Sequence, residues 1–164
     1  MGADSLYWCA QGISAGESIG ADVVKQKYPV PARDKDAYTR ALSEVDGKKG
    51  LFFSKMPEVD QLLKLEPDDP NNVPHDLHVK RLSFMASVAP NTLKIISGGP
   101  KSNDPEKDLI DTTRAVMDSG NEGRIVGRNF WGRPLDEALE LNKLTVDLMR
   151  QKAYRRKLKE ARFR

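Results

Sequence analysis

Leu93-Lys94-Ile95-Ile96-Ser97-Gly98-Gly99-Pro100-Lys101 and, one unit later, Gly123-Arg124-Ile125-Val126-Gly127-Arg128-Asn129 are the stretches whose reading decides the fold. Each is a short apolar run that ends in glycine, as a buried strand does where it leaves a sheet. Between them, Asp104-Pro105 is the cap-then-proline opening of a helix that runs to about Ser119 and stops at Gly120. After the second run, Trp131, Gly132 and Arg133 turn the chain. Pro134 starts a last helix, whose apolar face is drawn largely from Leu135, Leu139, Leu144 and Leu148. Strand, helix, strand, helix in right-handed crossover units means an α/β protein with a parallel sheet and its active groups at the carboxyl ends of the strands.

Upstream the alternation continues. Residues 5–18 read as a helix and 22–28 as a strand broken off by Pro29 and Pro31. A helix follows from Asp34, its plausible cap, to Val45, with Gly47 just beyond. Gly50-Leu51-Phe52-Phe53-Ser54 is either a short strand or a loop anchored by aromatics. A short helix over 58–65, a Pro- and Asp-rich loop over 66–74 and a helix from His75 to about Val88 lead to the strand at Leu93.

The first strand carries an amine. In Ile19-Gly20-Ala21-Asp22-Val23-Val24-Lys25-Gln26-Lys27-Tyr28-Pro29, Lys25 sits in what reads as a buried strand, with Lys27 two residues along on the same face. Desolvation and a neighbouring amine both disfavour the charged form, and a neutral amine attacks carbonyls to form a Schiff base. The alternative is a strand-end lysine that snorkels to solvent.

The two glycine motifs point to an anion. Ser97-Gly98-Gly99 after one strand would expose backbone N–H groups beside a hydroxyl, and Gly127-Arg128 repeats the arrangement with a guanidinium. A pair of glycine ends on consecutive strands makes a phosphate cradle, although Arg128 could instead pair with a carboxylate such as Asp104 or Glu122.

Composition narrows the classes. The chain has 164 residues, enough for one domain with its own core, and a net charge of +3. Residues 150–164 hold eight Lys or Arg against Glu160 alone, leaving 19 basic and 23 acidic residues elsewhere, a net of −4. The basic character therefore belongs to a C-terminal helical tail, which reads as a solvated helix end or as a polyanion-binding segment. Nucleic-acid binding by the body is disfavoured. No apolar run suggests a membrane span, and neither a secretory nor a myristoylation signal is recognisable at Met1-Gly2, so a cytoplasmic location is expected. The single Cys9 excludes an internal disulfide and reads as a buried structural thiol. His75 and His78 read as surface or packing residues.

Taken together, Ile19 to Pro29, Ser97 to Lys101 and Gly123 to Asn129 resemble the class I fructose-bisphosphate aldolases of bacterial and archaeal type, within the deoxyribose-phosphate-aldolase-like group. The resemblance implies a (β/α)8 barrel, of which these 164 residues would hold the last three βα units as a single domain. It implies Lys25, not Lys27, as the Schiff-base lysine. Ser97, Gly98, Gly99, Gly127 and Arg128 would bind a substrate phosphate. The substrate would be a phosphorylated ketose of glycolysis, with no metal or other cofactor required. The family's acid/base aspartate and its supporting lysine and tyrosine come from earlier strands, and Tyr28 is too close to Lys25 along the chain to replace them. An open three-stranded sheet would expose two edges and an apolar face, making a homo-oligomer or a complementing N-terminal half plausible. Two other readings stand beside the aldolase: an incomplete phosphate-binding half-barrel that works with a partner chain, and a nucleic-acid binder acting through the tail.

Overall fold

The computed structural model describes residues 2–46, 59–98 and 104–151. Its elements follow the alternation in the sequence: α1 (Leu6–Ser18), β1 (Val23–Lys27), α2 (Lys35–Asp46), α3 (Val59–Leu63), α4 (His75–Ser87), β2 (Leu93–Ser97), α5 (Pro105–Asp118), β3 (Gly123–Ile125), α6 (Arg128–Trp131) and α7 (Leu135–Arg150). The expected caps are in place. Asp34 Oδ1 accepts the Ala37 N–H at 2.9 Å, and Asp104 Oδ1 accepts the Lys107 N–H at 3.0 Å. Gly20 ends α1 at φ 82°, a left-handed conformation that costs glycine little.

The three strands form a parallel sheet in the order β1-β2-β3. Lys25 pairs with Ile95 and Ile95 with Gly123, while Lys27 pairs with Ser97 and Ser97 with Ile125. Because side chains alternate, this register divides the sheet into two faces. Val24, Gln26, Lys94, Ile96 and Arg124 face the helices. Ile96 is fully buried there in one cluster with Leu6, Ile13, Leu42, Leu82, Met85 and Val116. Val23, Lys25, Lys27, Leu93, Ile95, Ser97 and Ile125 share the other face, which the described helices leave open. Val23 is 48% and Ile125 41% exposed, so the apolar face expected of an open sheet is present.

Close packing of α1 on β1 depends on two glycines one helical turn apart. A Cβ at Gly12 would run into Gln26 Nε2, and one at Gly16 into Val24 Cγ2. Gln26 is itself fixed, donating from Nε2 to the Cys9 carbonyl at 2.9 Å. Gly16→Val is expected to overpack this interface and lower stability by about 1–3 kcal/mol in urea unfolding. An unchanged midpoint would refute this account of the contact. Cys9 lies fully buried in the same layer, and burial, with a contribution from Asp4, pushes its thiol up to about 12.

Two expectations need correction. The chain after β3 forms the short helix α6, where only a turn was expected, because the Gly127 carbonyl accepts the N–H groups of Phe130 and Trp131. On α7 the buried residues are Leu141, Thr145 and Leu148, whereas Leu135 and Leu139 are 72% and 56% exposed. The helix carries two apolar stripes, and only one packs on α5. The 50–54 segment and the basic tail beyond Gln151 lie outside the described residues.

Candidate functional site

β1 presents Lys25 and Lys27 from the open face, as their shared parity requires. The burial expected of Lys25 is not found. Its side chain is exposed, because the face it shares with Val23 is the one that the described helices leave open. Tyr28 turns the other way. It is 4% exposed, with its hydroxyl 3.0 Å from His78 Nδ1 on α4, and burial is the main cause that raises its pKa far above the usual phenol value. Tyr28 therefore packs in the helical layer, on the opposite side of the sheet from Lys25.

At the end of β2, Ser97 Oγ donates to the Gln26 carbonyl at 3.3 Å, and the Ser97 carbonyl accepts the Tyr28 N–H at 2.9 Å. Gly98 follows at φ 80°, a conformation that side-chain-bearing residues rarely adopt. Its N–H donates to the Ile125 carbonyl at 3.3 Å, extending the sheet by one bond. That donor is thus spent on the sheet and is not directed at a ligand. Gly99, Pro100 and Lys101 lie outside the described residues. One strand along, Gly127 leaves β3 and Arg128 is the first residue of α6, of which the backbone is described. Of the carboxylates considered as partners for Arg128, Glu122 is engaged with Lys94: Oε2 accepts the Lys94 N–H at 2.6 Å and Oε1 is 3.8 Å from Nζ. The sheet therefore brings Lys25, Ser97 and Gly98 onto adjacent strands, with Gly127 beyond β3 on the next.

Sequence reasoning missed Arg124. It sits on β3 beside Ile96 in register, 8% exposed, with its guanidinium between the sheet and α5. Nη1 donates to the Leu109 carbonyl and Thr113 Oγ1, each at 2.9 Å, and to Thr112 Oγ1. Nη2 donates to the Gly98 carbonyl at 3.0 Å. Burial pulls its pKa down to about 10, against smaller opposing effects of Tyr28 and Asp108. The signal was an arginine at the inward position of an otherwise apolar strand. Among the described residues no group of three or more His, Cys, Asp or Glu is arranged to hold a metal, and no helix is long and apolar enough to cross a membrane.

A parallel sheet with a lysine on one strand and glycine ends on the next two has counterparts of known sequence. The chain is 31% identical over 133 residues to a probable class 1 fructose-bisphosphate aldolase of Chlamydia trachomatis, covering 81% of this chain and 32% of the relative. It is 29% identical over 138 residues to the class 1 fructose-bisphosphate aldolase of Halobacterium salinarum, covering 81% of this chain and 51% of that one. The chain is homologous to part of the class I fructose-bisphosphate aldolases. No family model matches the sequence. The aldolase fold itself is recognisable at lower identity. A Schiff-base-forming fructose-1,6-bisphosphate aldolase solved with reaction intermediates superposes with a TM-score of 0.56 at 20% identity, covering 91% of this chain and 40% of that structure. An archaeal aldolase with its catalytic lysine bound to the carbinolamine intermediate gives 0.55 at 19%, covering 91% and 39%. The three parallel strands and their helices thus match part of the barrel fold of those aldolases. The chain spans about a third to about a half of the length of the curated relatives it matches.

Proposed function

We propose that this chain carries the Schiff-base and phosphate-holding part of a class I aldolase, which cleaves fructose 1,6-bisphosphate reversibly to dihydroxyacetone phosphate and glyceraldehyde 3-phosphate. The reading rests on one observation: Lys25 stands on the open face of β1, and the next two strands of the same parallel sheet end in Gly98 and Gly127. The Lys25 amine, once it has given up its proton, adds to the C2 ketone, and loss of water leaves a protonated imine. Breaking the C3–C4 bond sends its electron pair into that imine, giving an enamine, while the C4 hydroxyl loses its proton and departs as the aldehyde. The enamine then takes up a proton at C3, and water releases dihydroxyacetone phosphate. The strand ends at Ser97, Gly98 and Gly99 and at Gly127 and Arg128 hold the phosphate, with the Gly98 N–H kept in the sheet, and so place the carbonyl over Lys25. The role is that of a cytoplasmic lyase of glycolysis.

Reduction with borohydride in the presence of dihydroxyacetone phosphate is expected to leave a stable adduct on Lys25, found by peptide mass spectrometry, and none in Lys25→Met. An adduct on Lys27, or an unmodified Lys25 under saturating ligand, would sink the assignment. The open face and the outer edges of β1 and β3, unpaired among the described residues, favour a second reading, in which the chain holds phosphate but needs further strands to turn over. In that case the adduct accumulates without release of aldehyde from fructose 1,6-bisphosphate.

A further inference from the structure

We propose that Lys27 is the charged partner of the substrate phosphate: it binds the phosphate of the same ketose whose carbonyl meets Lys25. The inference rests on the reading of Lys25 and the strand ends as an aldolase site, and adds a side chain that recognises the phosphate. The register sets the level of each group. Lys25 lies beside Ile95 and Ile95 beside Gly123, so the amine that attacks stands level with the start of β3. Lys27, Ser97 and Ile125 are the last residues of β1, β2 and β3 and lie side by side in one row. Within that row Lys27 is the cation.

Residues two apart on a strand share a face and are separated by about 6.6 Å along it. Lys25 and Lys27 therefore project from the open face together, with Lys27 one step nearer the turns at Gly98 and Gly127. A ketose held at C2 by Lys25, with its ester arm lying along β1, brings its phosphate oxygens within reach of the flexible Lys27 chain and its three rotatable donors. The other cations of the strands are engaged on the opposite face. Lys94 Nζ donates to the Ala89 carbonyl at 3.1 Å, and Arg124 is bonded to α5 and to the Gly98 carbonyl. Lys27 is exposed, and its Nζ makes no hydrogen bond or ion pair with a described residue. The neighbouring donors are already used: Ser97 Oγ donates to the Gln26 carbonyl and the Gly98 N–H to the Ile125 carbonyl, each at 3.3 Å. The described end of β2 thus leaves the charge of a phosphate unmet, and charge-assisted bonds are the strong ones. The plainer role for a lysine here is to keep an edge strand from pairing with another chain.

The test separates the two roles by trapping at Lys25 in the full chain, with borohydride reducing the imine to a stable amine. Dihydroxyacetone phosphate and dihydroxyacetone are used separately on wild type, Lys27→Met and Lys27→Arg. Both ketones present the same carbonyl, and one of them carries the phosphate. Peptide mass spectrometry gives the ketone concentration that labels half of Lys25. Wild type is expected to prefer the phosphate ester. Lys27→Met is expected to need about tenfold more of the ester or beyond, while dihydroxyacetone labels within about twofold of wild type, and Lys27→Arg is expected to restore most of the preference. Lys27→Gln serves the same comparison if the methionine perturbs the sheet. A Lys27→Met chain that keeps the wild-type preference overturns the role of Lys27 and leaves the Schiff-base reading standing. Equal loss with both ketones places the effect on the Lys25 amine or on the strand, and overturns the role in phosphate binding. Wild type that is labelled by neither ketone overturns the aldolase reading and this inference together.

Discussion

Glu66→Ala is expected to destabilise the fold by about 3–5 kcal/mol, which is a large part of the roughly 5–15 kcal/mol typical of a whole domain. Glu66 and Arg81 form an ion pair at 2.9 Å with side chains 1% and 0% exposed. Each also holds backbone. Arg81 Nη1 donates to the Leu65 carbonyl at 2.8 Å and Nη2 to the Pro29 carbonyl at 3.4 Å, while Glu66 Oε2 accepts the Ala32 N–H at 2.8 Å. The pair therefore ties the loop after β1 and the turn after α3 to helix α4. Removing the carboxylate leaves a guanidinium buried without compensation and an orphaned amide at Ala32. Urea unfolding measures the loss, and a change below about 1 kcal/mol would refute it. The double variant Glu66→Leu with Arg81→Met is expected to recover much of the stability, because it removes both charges and their desolvation cost together.

Lowering the pH from about 6.5 to about 4 is expected to weaken the fold through His78. Burial is the main cause that lowers its pKa to about 4, with Arg81 and His75 adding to it and Asp108 and Asp111 opposing. In this window the unfolded chain takes up a proton that the native ring refuses. The unfolded state then binds more protons, so stability rises with pH and is lost as pH falls toward the native pKa. The effect is on the order of 2 kcal/mol once the partial exposure of the ring is allowed for. In the protonated ring Nδ1 is a donor, so the Tyr28 hydroxyl facing it must accept. His78→Gln is expected to flatten the pH dependence over this range relative to wild type. Parallel curves for the two proteins would exclude His78 as its source.

What could be read from the sequence were the punctuation marks and the periods. Asp34, Asp104-Pro105 and Gly120 act locally, so helix ends could be placed from neighbouring residues alone. The strands were marked by short apolar runs next to glycine. The environment of Lys25 was misread, because an apolar run in a parallel sheet is normally covered on both faces, whereas the described helices cover only the face of Val24 and Gln26. Arg81 and Arg124 were missed for the opposite reason. Arginine is usually a surface residue, and nothing local reveals that carbonyls more than ten residues away will satisfy it. On α7 the leucines were weighed and Thr145 was not, although a threonine can bury its methyl while its hydroxyl returns to the Leu141 carbonyl at 2.8 Å.

The connections between strands carry a kinetic consequence. Residues 98–122 separate β2 from β3, whereas residues 28–92 separate β1 from β2. Closing the longer loop costs just under about 1 kcal/mol more chain entropy by loop length alone, and distant pairings form slowly. The β2-α5-β3 unit, already clasped by Arg124 to α5 and Gly98, is therefore expected to assemble first, with β1 docking onto it afterwards. The strand that bears Lys25 is then the last of the three to be placed. On this order, the strand ends at Gly98 and Gly127 exist before the lysine arrives beside them.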